Sequence, residues 1–448
     1  SATALYEIPY LDGVFCEKQV TDVHPNLSRG TVSGTASFQI ENITGTEQMV
    51  AFAINPGYEV NSVQANGQPV PFEIDNYQES NMALLNVTIP DLESIDLCFD
   101  YQGFPQDWNL METMQGKPEI SSKYLCLENQ TLAPMIMNVG TADGLFSSIT
   151  DITLPDTMTV IPFGLAEAKK EVEHDNGTIT WRIEDTGTGG ILYAGDYVRQ
   201  DIDAAGTSIQ FYYGRKHHPI MEEANAAEAI QTVMEYCSSH YGVPSFSSLD
   251  SLKLIQGRVA GGGYAVSGAS LMDEQDFTAQ NLHNSEKGGI PGEVMIHELV
   301  HQWWGLGAMF DVSQPDSAWS AEGLTVYTTY RIIKELYGEA YAKENYIDQW
   351  KTAVDDYYHN FYIRNPQYLE ALPEEKRLDI SNQLSNMRYY NEMPLKILKA
   401  EELVGGEEAM DLILYQLFNR DVDPMYPYLT EQEFLNACGL TEEDLNLD

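Results

Sequence analysis

The sequence predicts a multidomain α+β protein, with an all-β domain over residues 1–207 followed by a mixed α/β, mostly helical domain over residues 208–448. Three observations predict it. The first part alternates apolar and polar residues in short runs broken by Asn, Gly, Pro and Asp, the period of half-buried strands. A turn-rich stretch, Asp203-Ala204-Ala205-Gly206-Thr207-Ser208, then interrupts the pattern. Beyond it, apolar residues recur at helical spacing. A chain of 448 residues also exceeds what one core ordinarily holds, and 43% apolar residues are ample for folding.

Within the first part, strands are expected at Thr31–Ile40, Val60–Val63, Ala83–Ile89 and Thr178–Ile183. Ala65-Asn66-Gly67-Gln68, with valines on both sides, reads as a tight hairpin turn, because Asn-Gly tolerates the left-handed backbone such turns need. In the second part, helical periodicity covers Met221–Tyr241 and gives way to strand-like Leu252–Val259. The run Gly261, Gly262, Gly263 fits a bulge or turn. It would equally let a substrate backbone approach closely and pair as an added strand. From Pro291 onward the reading is mostly helical, with further helices over Ala342–Tyr358, Pro394–Val404, Glu407–Phe418 and Thr430–Ala437.

The helix opened by Pro291 crowds Val294, Ile296, Leu299, Val300 and Trp303 into apolar positions and ends at Gly305 and Gly307. It carries His297-Glu298-Leu299-Val300-His301. Residues four apart share a helix face, so the two imidazoles can hold one metal ion while Glu298 faces water at that ion. The plain alternative is a surface helix with two unrelated histidines, and the apolar flanks weigh against it. A catalytic zinc takes three protein ligands and keeps one position open. Glu322 is the best third donor, since it opens an apolar-periodic segment to Leu336, after Ser317 and Ser320 and before Gly338. Its competing reading is a helix N-terminal glutamate favoured by the macrodipole. Asp311, Asp316 and Glu298 are weaker candidates for the third donor. Two imidazoles and a carboxylate also suit cobalt, nickel or copper, so the pattern alone does not single out zinc.

The string HELVHQWWG followed by WSAEGLTVYTTY resembles the aminopeptidase N and leukotriene hydrolase group of gluzincins, in a short form lacking the C-terminal helical domain. The resemblance implies an N-terminal saddle-like β-sheet domain, a thermolysin-like catalytic domain and one Zn2+ held by His297, His301 and Glu322. Residues 302–321 separate the second histidine from the glutamate, two more than the group usually has, so an insertion in the connecting loop is implied. SLDSLKLIQGRVAGGGYAVSG and YYNEMPLKILKAEELVGGEEAM extend the likeness to both sides. By position Tyr390 matches the group's transition-state tyrosine, with Tyr389 the close rival. The group's G-x-M-E-N-x-G motif reads here Gly262, Gly263, Tyr264, Ala265, Val266, Ser267, Gly268. The glutamate that would pair with a substrate's free amine is therefore replaced by Ala265. Glu128 in LCLENQTLAP falls near the region of a second amine-binding carboxylate, although a solvated loop glutamate is the plainer reading.

The implied activity is hydrolysis of peptide bonds by zinc-activated water, with Glu298 as general base and an aminopeptidase-like mode of attack. An endopeptidase of the same fold is the first alternative, because of Ala265. The second is a catalytically weak zinc-containing binding or sensing module, against which stands the retention of Glu298 between the two histidines.

The balance of 68 acidic to 24 basic residues, net −44, argues against a nucleic-acid partner, since phosphate binding needs clustered Lys and Arg. Peptide substrates are the expected partners. No stretch approaches the length of a membrane span and no leader opens the chain, so direct insertion is not expected. Peptidase domains of this type also occur fused to transport permeases, which makes a larger membrane-associated protein a further expectation. The expected compartment is extracellular or the cell surface, with the cytoplasm as the alternative. Five scattered cysteines form no framework, and one pair among Cys16, Cys98 and Cys126 stays open.

Overall fold

The computed structural model describes residues 8–77, 82–111, 114–187, 190–223, 225–243, 251–258, 263–274, 293–311, 313–314 and 318–447. The chain divides into two compact units, Ser1–Tyr197 and Val198–Asp448. The division falls earlier than residue 207, for a reason visible in the strand pairing. Tyr197–Ala204 and Thr207–Gly214 are neighbours in one sheet, so the turn-rich stretch between them is a hairpin connection and not a linker.

The first unit is built of strands. Its largest sheet runs in the order Ala168–Glu173, Thr178–Thr186, Ser147–Pro155, Val14–Asn26, Thr31–Asn42, Ser94–Gly103, Val63–Ala65, Gln68–Pro69, with Tyr58–Glu59 also on Ser94–Gly103. Thr31–Asn42 shows why: its residues alternate between core and solvent along almost the whole strand. Two four-stranded sheets accompany it, one built around Gln48–Ile54 and Met82–Ile89, the other around Tyr124–Glu128 and Ile191–Gly195. The inward residues share one apolar cluster, in which Phe38, Phe52 and Phe99 meet with ring centroids 4.7–5.8 Å apart. The Asn66-Gly67 turn is present, with both residues at positive φ (52° and 80°) between Val63–Ala65 and Gln68–Pro69. The expected strand over Val60–Val63 is instead two short pieces, Tyr58–Glu59 and Val63–Ala65, which pair separate stretches of Ser94–Gly103. Cys16, Cys98 and Cys126 are free thiols, as are Cys237 and Cys438, so the open disulfide is not formed.

The second unit packs helices on a mixed sheet in the order Tyr197–Ala204, Thr207–Gly214, Ser251–Gly257, Ala269–Asp273, Gly263–Val266. The three inner strands pair in parallel, and Gly263–Val266 folds back antiparallel on Ala269–Asp273 as an edge. Helix Ala226–Tyr241 covers the sheet with Ile230, Val233 and Cys237, all fully buried. The histidine-bearing helix, Glu293–Val300, buries Met295, Ile296, Leu299 and Val300 in the same cluster. Further helices span Leu324–Tyr337, Asp348–Tyr358, Met393–Val404, Glu407–Phe418 and Glu431–Cys438. Thr430 caps the last of these: its hydroxyl oxygen accepts from the Glu433 amide in the first turn, while the Glu433 carboxylate accepts from the Thr430 amide. Helices over Phe361–Arg364, Pro366–Glu370 and Glu374–Met387 are additions that the sequence pattern does not announce. Most of their residues are exposed, so no apolar stripe marks them.

No described helix is long and apolar enough to cross a membrane.

Candidate metal centre

Three side chains on two helical segments converge at one point. His297 and His301 project from consecutive turns, and Glu322 arrives from a π-helical turn, Trp319–Gly323, that leads directly into helix Leu324–Tyr337. A π turn inserts one residue per turn and redirects the side chains within it, a geometry found often at functional sites. The turn is anchored by buried Trp319, which packs on Phe434 with centroids 5.1 Å apart. Gly323 admits no side chain without displacement, since a Cβ there would stand 3.0 Å from Met393 Cβ.

The donor atoms are close. His297 Nε2 lies 3.0 Å and His301 Nε2 3.3 Å from the same oxygen, Glu322 Oε2, and the two Nε2 atoms are 3.1 Å apart. Donors held at about 2.0–2.1 Å around a tetrahedral ion stand about 3.3 Å from one another, so the residues present fit a zinc-sized ion. Among the described residues this is the one group of three His, Cys, Asp or Glu side chains placed to share a metal.

His301 is oriented from behind. Its Nδ1 lies 3.0 Å from the Trp304 carbonyl and 3.2 Å from Thr325 Oγ1, so a proton on Nδ1 is held there and Nε2 keeps its lone pair toward the cluster. Gly305 makes the reversal after Trp304 at φ +99°, a conformation that disfavours any side chain. The electrostatics follow from the packing. Burial pushes the His301 imidazolium down, but the Glu322 carboxylate more than offsets this and raises the group to about 9. Burial likewise acts upward on Glu322, and hydrogen bonds from both histidines hold it well below the usual carboxylate range. Glu298 is only 6% exposed, and that burial, the dominant influence, raises its pKa against the pull of the two imidazoles. A carboxylate so placed holds a proton more readily than one in water, which suits a group that must accept one and give it back.

Tyr390 is beside the cluster. Its ring centroid lies 6.1 Å from that of His297, and its phenol is raised above the usual tyrosine range by burial first and then by the neighbouring Glu322 and Glu298 carboxylates. It too sits in a π turn, Arg388–Glu392. Tyr389 has no comparable contact with the three donors among those described.

Gly263, on the edge strand, lies directly against the general-base candidate: a Cβ there would be 2.5 Å from Glu298 Cγ. Gly261 and Gly262 lie outside the described residues. Glu128 belongs to the first unit, at the end of strand Tyr124–Glu128, where burial raises its pKa and it accepts from Cys126 Sγ at 3.5 Å. Sequence reasoning does not single out Trp304, Thr325, Ser270 or Gln302. Ser270 Oγ donates to the Glu298 carbonyl at 2.8 Å, and Gln302 bonds the edge hairpin. The available signal is polarity inside apolar surroundings, since Gln302 is followed by Trp303 and Trp304 and is itself buried.

A histidine pair one turn apart, a carboxylate from the next helix and a glutamate between the histidines define the gluzincin class of site. No protein-family profile matches the chain. Over 116 residues it is 30% identical to leucine aminopeptidase 2 of Emericella nidulans, covering 26% of this chain and 18% of that protein. Over 394 residues it is 21% identical to probable aminopeptidase 1 of Sulfurisphaera tokodaii, covering 86% of this chain and 45% of the relative. The chain thus spans less than half the length of these relatives. Among solved structures, an M1 zinc metallopeptidase from Deinococcus radiodurans superposes with TM-score 0.55 at 16% identity, over 96% of this chain and 91% of that one. Yeast LTA4 hydrolase gives 0.54 at 12% identity, over 95% and 64%. In fold, the chain is similar to solved M1 zinc metallopeptidases.

Proposed function

We propose that the chain is a zinc-dependent metallopeptidase that hydrolyses peptide bonds in an aminopeptidase-like manner. The observation that carries this is the convergence of His297 Nε2, His301 Nε2 and Glu322 Oε2 within 3.0–3.3 Å of one another, with the buried Glu298 on the intervening turn. His297, His301 and Glu322 would hold the ion. Bound there, zinc supplies a Lewis acid that activates water and polarises a carbonyl.

The chain's own residues supply the rest. Glu298 takes a proton from the attacking water and returns it to the leaving amine, a cycle aided by its raised pKa. The Tyr390 phenol, kept protonated by burial, donates to the oxygen that gains negative charge. The edge strand Gly263–Val266 offers backbone groups to an extended peptide, and Gly263 lets that backbone lie close to Glu298. The relatives named as aminopeptidases support the reaction class.

An endopeptidase reading is favoured by one feature, Ala265, which puts a methyl group where the resemblance calls for a carboxylate to hold a substrate's free amine. The test is to remove the metal with a chelator, restore one equivalent of zinc, and follow peptides with free and with acetylated N-termini. Activity that returns with zinc on free peptides alone supports the aminopeptidase. Activity on both supports the endopeptidase, and none on either refutes the proposal.

A further inference from the structure

We infer that Gln302 is a positioning residue that sets the peptide-binding edge strand in register with the general base, an inference that rests on the peptidase reading above. Gln302 follows the second histidine and is 3% exposed. Its amide Nε2 donates to the Val266 carbonyl at 2.8 Å, and its Oε1 accepts from the Gly268 amide at 3.1 Å. Both groups belong to the tip of the hairpin whose outer strand is Gly263–Val266. One neutral side chain thus binds the turn at two residues, through the donor and the acceptor that a side-chain amide carries together.

The hairpin needs such a tie. Only two residues, Ser267 and Gly268, join Val266 to Ala269, and of these only Gly268 has positive φ (81°). Tight hairpins favour turns in which the first central residue is at positive φ, because these match the twist of paired strands; this turn does not. The hairpin's other end is fixed from the same segment, since Gly263 abuts the Glu298 side chain. Glu298 and Gln302 are about one helical turn apart, so this segment grips the strand at two points and holds it at one level. Strand register matters because a slip of one residue turns every side chain to the opposite face. A peptide pairing with this edge would inherit any such slip as a displaced scissile bond.

The test uses the full chain loaded with zinc and the shape-conserving substitution Gln302→Met. Two substrates are compared, a hexapeptide long enough to pair with the strand and an aminoacyl p-nitroanilide that is not. The expected result is unchanged zinc stoichiometry, a loss of about 100-fold in kcat/KM for the hexapeptide, and little change for the anilide. Gln302→Glu, which keeps the acceptor and loses the donor, should fall between. In hydrogen exchange, the Gly268 amide should lose protection in Gln302→Met. Equal losses on both substrates, or unchanged exchange at Gly268, would overturn the inference. If the wild-type chain hydrolyses neither substrate, the peptidase reading fails, and the exchange measurement alone still shows whether Gln302 holds the hairpin.

Discussion

The Trp304 carbonyl lies 3.0 Å from His301 Nδ1, and Thr325 Oγ1 lies 3.2 Å from the same nitrogen, so His301 is aimed by residues on both of the segments that build the metal centre. A ring fixed in this way presents its other nitrogen without an entropic cost at binding. Thr325→Val keeps the volume and removes the hydroxyl. Zinc affinity should fall by about tenfold, measured by competition with a chromogenic chelator, while the metal-free fold keeps its melting temperature. An unchanged affinity would show that the carbonyl alone sets the ring.

The three donors should be separable from the base. Glu322→Gln removes the charged donor and should abolish stoichiometric zinc binding. Glu298→Gln should keep one zinc per chain and lose turnover by about 100-fold or more. Metal analysis and initial rates on the same preparations check both. A Glu298→Gln protein that also loses zinc would place that residue among the ligands.

The pH dependence follows from the metal-free pair. His301 titrates near 9, above its ordinary 6.5, so the stabilisation it gains from Glu322 is full below 6.5 and is lost as pH rises through about 9. Glu322 is lowered from 4.5, so its share is full above 4.5 and is lost as the medium becomes more acidic. The metal-free chain therefore draws most from this pair between pH 4.5 and 6.5. Zinc must displace the proton. At pH 7 its binding should release about one proton per ion, and affinity should stop rising near pH 9. Calorimetry in two buffers of different ionisation enthalpy reads the proton directly, and binding without proton release would contradict the assignment.

Behind the centre, Arg331 is 6% exposed and makes a two-pronged bond to Asp411 at 3.0 and 3.1 Å, with the Tyr327 hydroxyl at 2.7 Å and Glu401 at 3.5 Å. It joins the helix that follows Glu322 to Met393–Val404 and Glu407–Phe418. Arg331→Met would strand the buried Glu401 carboxylate and the partly buried Asp411 carboxylate and should destabilise the chain by about 3 kcal/mol. Denaturant unfolding checks this, and a loss below about 1 kcal/mol would mean that water reaches those carboxylates.

Much of this is legible in the sequence because the signals are local. The helix carrying His297 and His301 is declared by its own periodicity, and Glu322 by its place ahead of an apolar run. Asn66-Gly67 is a turn because of its backbone chemistry alone. What stays hidden depends on partners distant in the chain. Gln302 has no meaning until a hairpin formed by residues 263–273 is folded against it, and Thr325 none until its helix lies beside His301. Helix Glu374–Met387 escapes the pattern because only Met387 of its residues is buried. The division after Tyr197 escapes it because strand Tyr197–Ala204 reads like the strands before it, although its pairing partner belongs to the second unit.

The most direct measurement is product analysis by mass spectrometry after zinc-loaded wild-type chain and zinc-loaded Glu298→Gln chain are each incubated with the same mixed peptides. Cleavage products are expected from the wild type and intact peptides from the variant at equal zinc content. Intact peptides from both, with one zinc bound to each chain, would contradict the peptidase reading.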